Sequence, residues 1–218
     1  MMSRDFLALF GLSVSAWAGT ITVVNVQFAA SGYTGAAVVG SAGDYWNSEG
    51  AAGTSVALLD TLGQSTSMTL TWSTPRAFAG TTGFASTPYA DLMEGYLFNG
   101  NAEPVTITLD GLTPDTGFDL YVYSQGDVAS GGRAMQVDAN GIAADTTTTD
   151  AAASTFILCQ NYLELPVSAN ASGQLEISFA PISIANFEAG LNGFQLVSAP
   201  EPSTPLGSSA WLTPGATH

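Results

Sequence analysis

The 218-residue sequence predicts an all-β fold, an antiparallel sandwich of two stacked sheets. Three observations carry that expectation. Short segments rich in Val, Ile, Thr, Tyr and Phe alternate apolar with polar residues, the pattern of strands with one face buried. Turn clusters recur between them, and glycine, at 24 residues, exceeds its usual share. Helical periodicity is confined to residues 88–98, PYADLMEGYLF, where Leu92, Met93 and Leu97 share a face and predict a helical turn.

Residues 20–28, TITVVNVQF, open the body. Their apolar phase slips at Val23 and Val24, which predicts a bulge or a strand covered on both faces. In residues 67–72, SMTLTW, Met68, Leu70 and Trp72 face one way while Ser67, Thr69 and Thr71 face the other. Residues 105–109, 118–123, 163–167, 175–179 and 193–197 obey the same rule. Leu112 and Pro114 mark a corner between two of these strands. Asn140 and Gly141 tolerate positive φ, so residues 135–137 and 142–144 predict a hairpin about the turn 138–141. The TTTTD run at 146–150 reads as a loop or an edge. Roughly eight or nine such strands point to a jelly-roll or an immunoglobulin-like sandwich, with threonine-rich outer faces meeting water.

Only 10% of residues are charged, yet Asp and Glu outnumber Lys and Arg 18 to 3, the net charge is −15, and lysine is absent. Such a surface repels phosphate backbones and anionic lipid, which excludes nucleic acid and acidic membrane as partners and leaves cations, neutral sugars and other proteins. Without lysine, sheet edges are guarded by Pro, Gly and Asp, or else serve assembly into a homo-oligomer. Near the start, Arg4, the apolar run 6–14 and the Ala16-Trp17-Ala18 triplet have the order of a secretory signal peptide cut after Ala18. The expected organisation is a signal peptide at 1–18, a sandwich domain at 19–197 and a flexible tail at 198–218.

One cysteine cannot form an internal bridge, and Cys159, continuing an apolar run, is expected to be a small buried hydrophobe. One histidine, His218, leaves no internal base for a Ser-His-Asp triad and no imidazole cluster for zinc. Lacking lysine, the chain makes neither a Schiff base nor a P-loop. The enzyme class left open is a glycosidase working with paired acids, Glu94 with Asp91 or Glu164 with Glu176, and nothing in their spacing singles them out. The expectation is a non-catalytic protein.

Residues 200–204, PEPST, containing Pro200, Glu201 and Pro202, resemble the PEP-CTERM sorting signal of Gram-negative bacteria that make exopolysaccharide. The stretches GDYWN (43–47), LDGLTPDTGFDLYVYSQGD (109–127) and LNGFQLV (191–197) resemble the galactose-binding-like jelly-roll bodies that such proteins often carry. The resemblance covers most of residues 20–204 and favours that jelly-roll over an immunoglobulin or fibronectin-like sandwich. It implies a membrane helix and an arginine cluster after the motif, processed by an exosortase-type transpeptidase. Residues 205–218 depart from this pattern: Pro205 and Pro214 interrupt them and no Lys or Arg is present. The tail is therefore expected to be a remnant of an anchor signal, and the chain a secreted protein of the cell surface or extracellular matrix, contacting polysaccharide or matrix protein.

Three features are candidates for binding. Tyr121 and Tyr123 share a strand face opposite Phe118, Leu120 and Val122, and form either a stacking platform for sugar rings or a layer beneath a covering loop. Tyr45 and Trp46 serve either packing or a sugar contact. Arg133 clamps a sugar or a carboxylate, or forms a structural ion pair. The resemblance also supports calcium in general terms, with Asp44, Asp127, Asp138 and Asn140 as hard oxygen donors, although their spacing fits no EF-hand and turn formation explains them equally well.

Overall fold

Alternation of apolar residues becomes strands almost everywhere it was expected, and further strands appear between them. A computed structural model describes residues 22–28, 32–50, 55–73, 76–127, 134–147, 152–182 and 188–199. All of them fall within one unit, Ile21–Ala199. The residues expected to form the signal peptide (1–18), Arg133, and Pro200, Glu201 and Pro202 lie outside the described residues.

In chain order the first strands are β1 (Thr22–Gln27), β2 (Asn47–Ser48), β3 (Val56–Leu59), β4 (Ser65–Trp72), β5 (Ala77–Ala79), β6 (Gly95–Asn99) and β7 (Val105–Asp110). They are followed by β8 (Gly117–Tyr123), β9 (Met135–Ala139), β10 (Ile142–Asp145), β11 (Tyr162–Ser168), β12 (Leu175–Pro181), β13 (Ala189–Leu191) and β14 (Gly193–Ser198). A 3-10 turn (Gly83–Ser86) and one short helix, α1 (Ala90–Met93), separate β5 from β6. Among the described residues three sheets result, with orders β11-β8-β14-β1-β2, β10-β9-β12-β7-β4-β3 and β13-β6-β5. Pairing is antiparallel throughout except between β1 and β2. From β7 to β12 the chain passes repeatedly between the five- and six-stranded sheets, as in a jelly-roll.

The two large sheets bury their facing sides in one core. Val24, Val26, Leu120, Val122, Leu165 and Phe194 come from the five-stranded sheet, and Leu70, Trp72, Ile107, Val137, Ile177 and Phe179 from the six-stranded one. Each such side chain, fully buried, contributes about 2 kcal/mol through removal of apolar surface from water. The outer face of the six-stranded sheet is polar, as the alternation required: Thr71 opposes Thr108, and Ser178 opposes Thr106. Among the described residues no helix is long and apolar enough to cross a membrane.

The five-stranded sheet behaves differently, because segments 33–46, 84–93 and the stretch around Phe156 lie over its outer face. Buried residues there include Tyr33, Trp46, Phe84, Leu92, Met93, Tyr121, Tyr123 and Val197. β1 therefore has both faces covered, and its register shifts between Thr22 and Val24, so the phase slip corresponds to both a bulge and double burial.

Three local expectations are corrected. Helix occupies only Ala90–Met93 of residues 88–98, and Gly95–Asn99 is strand β6, with Leu97 in the sandwich core and Tyr96 and Phe98 on the opposite face. The hairpin turn is shorter than 138–141: Ala139 pairs with Ile142, and Asn140 and Gly141, at φ 48° and 87°, form a two-residue loop of the type that matches strand twist. Cys159 is exposed, not buried. It occupies a tight turn at φ 60°, where its N–H donates to the Tyr162 carbonyl and its own carbonyl accepts from Thr147, which turns the thiol away from the core.

Candidate functional site

Two of the binding expectations converge on the covered layer. Trp46 is 2% exposed and its indole N–H donates to the Gly35 carbonyl at 2.9 Å. Tyr123, wholly buried, donates its hydroxyl to Gln195 and accepts from the Val38 N–H at 3.2 Å. Gln195 in turn donates to Asn25 at 2.9 Å, so a buried polar chain pins segment 38–39 to the sheet. Burial pushes the Tyr123 hydroxyl pKa far up. Tyr121 is pushed up to about 12, by burial first and then by its hydrogen bond to Glu164 at 3.1 Å. Tyr45 is half-buried, bridges Thr34 through its backbone and packs its ring near Gly63. Of the two readings of Tyr121 and Tyr123, the structure has the layer beneath covering loops, which occupy the face a sugar would need.

The candidate calcium donors are dispersed and engaged. Asp138 and Asn140 share the β9–β10 turn, where Asp138 accepts from the Gly141 N–H at 2.9 Å. Asn140 donates to the Ser168 and Gln174 carbonyls and accepts from the Glu176 N–H. Asp44 accepts from the Ser41 N–H at 3.0 Å in the loop over the five-stranded sheet, and Asp127 accepts from the Tyr96 hydroxyl at 3.2 Å beside the small sheet. Among the described residues no group of three or more His, Cys, Asp or Glu is arranged to hold a metal ion.

The carboxylate pairs are also placed. Glu164 on β11 and Glu176 on β12 point away from the core, whose residues Leu163, Leu165, Leu175 and Ile177 flank them in sequence. They therefore stand on the opposite exteriors of the sandwich. Asp91 is exposed on α1, while Glu94, directly after that helix, lines a cleft.

That cleft and its surroundings bring together what sequence reasoning missed. It has a volume of about 320 Å³ and is walled by Gly80, Thr81, Thr82, Ala85, Ala90 and Glu94. Its backbone is held from both sides. Thr82 caps the 3-10 turn by accepting from the Phe84 N–H, and the Gly80 N–H donates to the Glu94 carbonyl at 2.8 Å. Asn192, fully buried, donates to the Met93 and Gly95 carbonyls at 2.9 and 2.8 Å and so clamps the chain on either side of Glu94. The same Asn192 accepts from the Gln125 N–H, and Gln125 reaches the Ala153 carbonyl and accepts from Asn161.

Beside the cleft the small sheet carries an aromatic strip. Phe78 on β5 opposes Tyr96 on β6; their rings stack with centroids 6.3 Å apart at 26°, and Phe98 meets Phe78 edge-on at 5.2 Å. Gly190 on β13 is what lets Tyr96 lie flat, since a Cβ there would approach the ring to 3.1 Å. Tyr96 is buried and Phe98 half-buried, but Phe78 is 51% exposed, so one aromatic ring, backed by two others, faces solvent. Asp127 joins strip to cleft: it takes the Tyr96 hydroxyl, and its Cβ lies so near Gly80 that any side chain at that position would clash. A ring face, carboxylates and threonines within one small region can bind a ligand with both an apolar face and hydroxyl donors. The readable signal was the aromatic-rich run Tyr96-Leu97-Phe98 after Gly95, which the apolar i, i+4 spacing from Met93 to Leu97 masked.

No protein-family model matches the chain. No curated protein matches it by sequence. Among solved structures it is similar to the plant receptor-like kinase ANX2, over 82% of this chain and 48% of that one, with a TM-score of 0.50 and 11% identity. The chain thus spans about half the length of that match. It is also similar to a CBM35 from Cellvibrio japonicus Abf62 (49% of this chain, 76% of that one, TM-score 0.33, 13% identity). A third likeness is to an exo-beta-1,3-galactanase from Phanerochaete chrysosporium (80% and 29%, TM-score 0.36, 15% identity). Likeness to the ANX2 structure at 11% identity concerns fold alone, and it is the strand order above that makes the described residues an antiparallel β-sandwich.

Proposed function

We propose that this chain is a non-catalytic carbohydrate-binding sandwich of the cell surface or extracellular matrix, engaging polysaccharide through the Phe78 strip and the adjoining cleft. One observation carries the reading: a half-exposed phenyl ring, rigidly backed by Tyr96 and Phe98, stands beside a cleft with Glu94 in its wall. A pyranose has an apolar C–H face for such a ring and hydroxyls that donate to carboxylates, and a single exposed ring suits weak binding. The extracellular placement draws on the leader-like order of residues 1–18 and the PEPST motif. Absence of catalysis draws on the carboxylates. Glycoside cleavage needs two acids within about 10 Å across one bond; Glu164 and Glu176 occupy opposite exteriors, and of the pair Asp91 and Glu94 only Glu94 is among the residues lining the cleft.

A glycan array run with calcium and with chelator, followed by titration calorimetry on the best neutral hit, tests this. Phe78→Ala is expected to weaken binding by on the order of tenfold, the worth of one aromatic contact, with the fold retained and stability lowered by only about 1 kcal/mol because the ring is half in water. Undiminished affinity in that variant, or release of reducing sugar by the wild-type chain, would refute the reading.

A further inference from the structure

Strand β10, at one edge of the six-stranded sheet, is open to a further strand. Its hairpin with β9 fixes which backbone groups are already used: Ala139 pairs with Ile142 across a two-residue loop, Val137 pairs with Ala144, and the Thr146 N–H donates to the Met135 carbonyl at 2.9 Å. Hydrogen-bonded positions alternate along an antiparallel ladder, so Ile142 and Ala144 bond to β9 while the N–H and C=O of Ala143 and Asp145 point outward. Among the described residues no strand pairs with that outer side.

The other edges are blunted. β11 carries Pro166 and exposed Glu164, β3 is interrupted by a register shift between Ala57 and Leu59, β2 has two residues, and β5 and β13 have three each. β10 uses none of these devices. Its register is regular, it contains no Pro, and Ala143 and Ala144 put only small side chains where a neighbour would approach. Ile142, on the core-facing side of the strand, is left 42% exposed.

We infer that β10 pairs antiparallel with β10 of a second copy of this chain, about a twofold axis at Ala144, joining the two six-stranded sheets edge to edge. The strand is its own complement. In that register Ala143 of each copy faces Asp145 of the other and the two exchange both backbone hydrogen bonds, while Ala144 meets Ala144 at a closely spaced non-bonded position that suits a small side chain. Each Asp145 side chain thereby faces an alanine. A contact of one short strand is small against the roughly 1,200 Å² of stable interfaces, and each copy carries a net charge of −15, so the association is weak and strengthens as salt screens the repulsion.

The test is sedimentation velocity of the full chain from micromolar to near-millimolar concentration at about 0.05 and about 0.5 M NaCl, with amide hydrogen exchange read at both ends of the concentration range. The mass is expected to rise from monomer toward dimer, further at high salt. Exchange of the Ala143 and Asp145 amides should slow with concentration, whereas those of Ile142 and Ala144, already bonded to β9, change little. Ala143→Pro removes an outward N–H from each copy and is expected to weaken self-association by about tenfold or more. Two further variants test the register: Ala143→Glu sets like charges opposite one another and weakens association, while Ala143→Lys faces Asp145 of the other copy and tightens it. Melting curves check that each is folded, and the Glu and Lys variants decide if proline is not tolerated. A chain that stays monomeric throughout, a dimer whose Ala143 and Asp145 amides exchange as in the monomer, or Glu and Lys variants that act alike would overturn the inference. None of these outcomes bears on the sugar site, whose Phe78 lies on β5.

Discussion

Trp46 and Trp72 are both nearly buried, at 2% and 3% exposure, but their indole N–H groups have opposite fates. Trp46 donates to the Gly35 carbonyl, whereas Trp72, packed edge-on against Phe28 at 5.8 Å, has no partner for Nε1 among the described residues. A buried donor without an acceptor destabilises the fold, and removing it recovers that loss; removing Trp46 instead strands a buried carbonyl. Trp46→Phe is therefore expected to cost about 1–2 kcal/mol more than Trp72→Phe in chemical denaturation, after the similar loss of volume. Equal losses would show that the Trp46 hydrogen bond contributes nothing. The same contrast limits what composition reveals: two tryptophans with strand-like neighbours look alike until their hydrogen-bond partners, 11 residues away for Trp46, are placed.

Turns show how much of an element is local chemistry. Gly141 sits at φ 87° with nothing within 4 Å of where a Cβ would go, while Gly111 sits at φ 84° with the Ser67 carbonyl in the way. Alanine at 141 meets only the left-handed backbone penalty, about 1 kcal/mol. Alanine at 111 adds a clash between β4 and the end of β7, and about 3 kcal/mol or more is expected from thermal or urea unfolding. If the two variants unfold together, the close approach at Gly111 is relaxed in solution. The Asn140-Gly141 hairpin was legible because the residues themselves dictate positive φ. Strand β6 was not, because residues 92–97, LMEGYL, satisfy helical spacing and show no apolar–polar alternation, and the strand depends on β5 and β13 pairing on either side. Edge protection follows a mixed rule. β11, at the edge of the five-stranded sheet, carries Pro166 and exposed Glu164, while β10, at the edge of the six-stranded sheet, leaves Ile142 42% exposed.

For the whole molecule the dominant long-range term is charge. With 18 acids against three bases, the folded chain gathers like charges that the unfolded chain spreads apart. The melting temperature is expected to rise as NaCl goes from about 10 to about 200 mM, over which the Debye length falls from about 30 Å to under 10 Å. A melting temperature indifferent to salt would mean that the acids lie beyond one another's reach. Solubility should be lowest near the sequence pI of about 4.1, where the net charge vanishes.

The sequence by itself determined the sandwich. Alternation is a property of each strand taken alone, so Met68, Leu70 and Trp72, or Leu175, Ile177 and Phe179, declare their inner face without knowledge of any partner. Only the tertiary structure decided which outer faces stay wet. Tyr123 and Phe78 are both aromatic residues on strands, yet loops from 33–46 and the stretch around Phe156 close over the first and leave the second open. The covering segments lie tens of residues away along the chain, and their own alternation carries no address. Exposure of a ring is a fact about what else packs there, and that is settled when the loops dock.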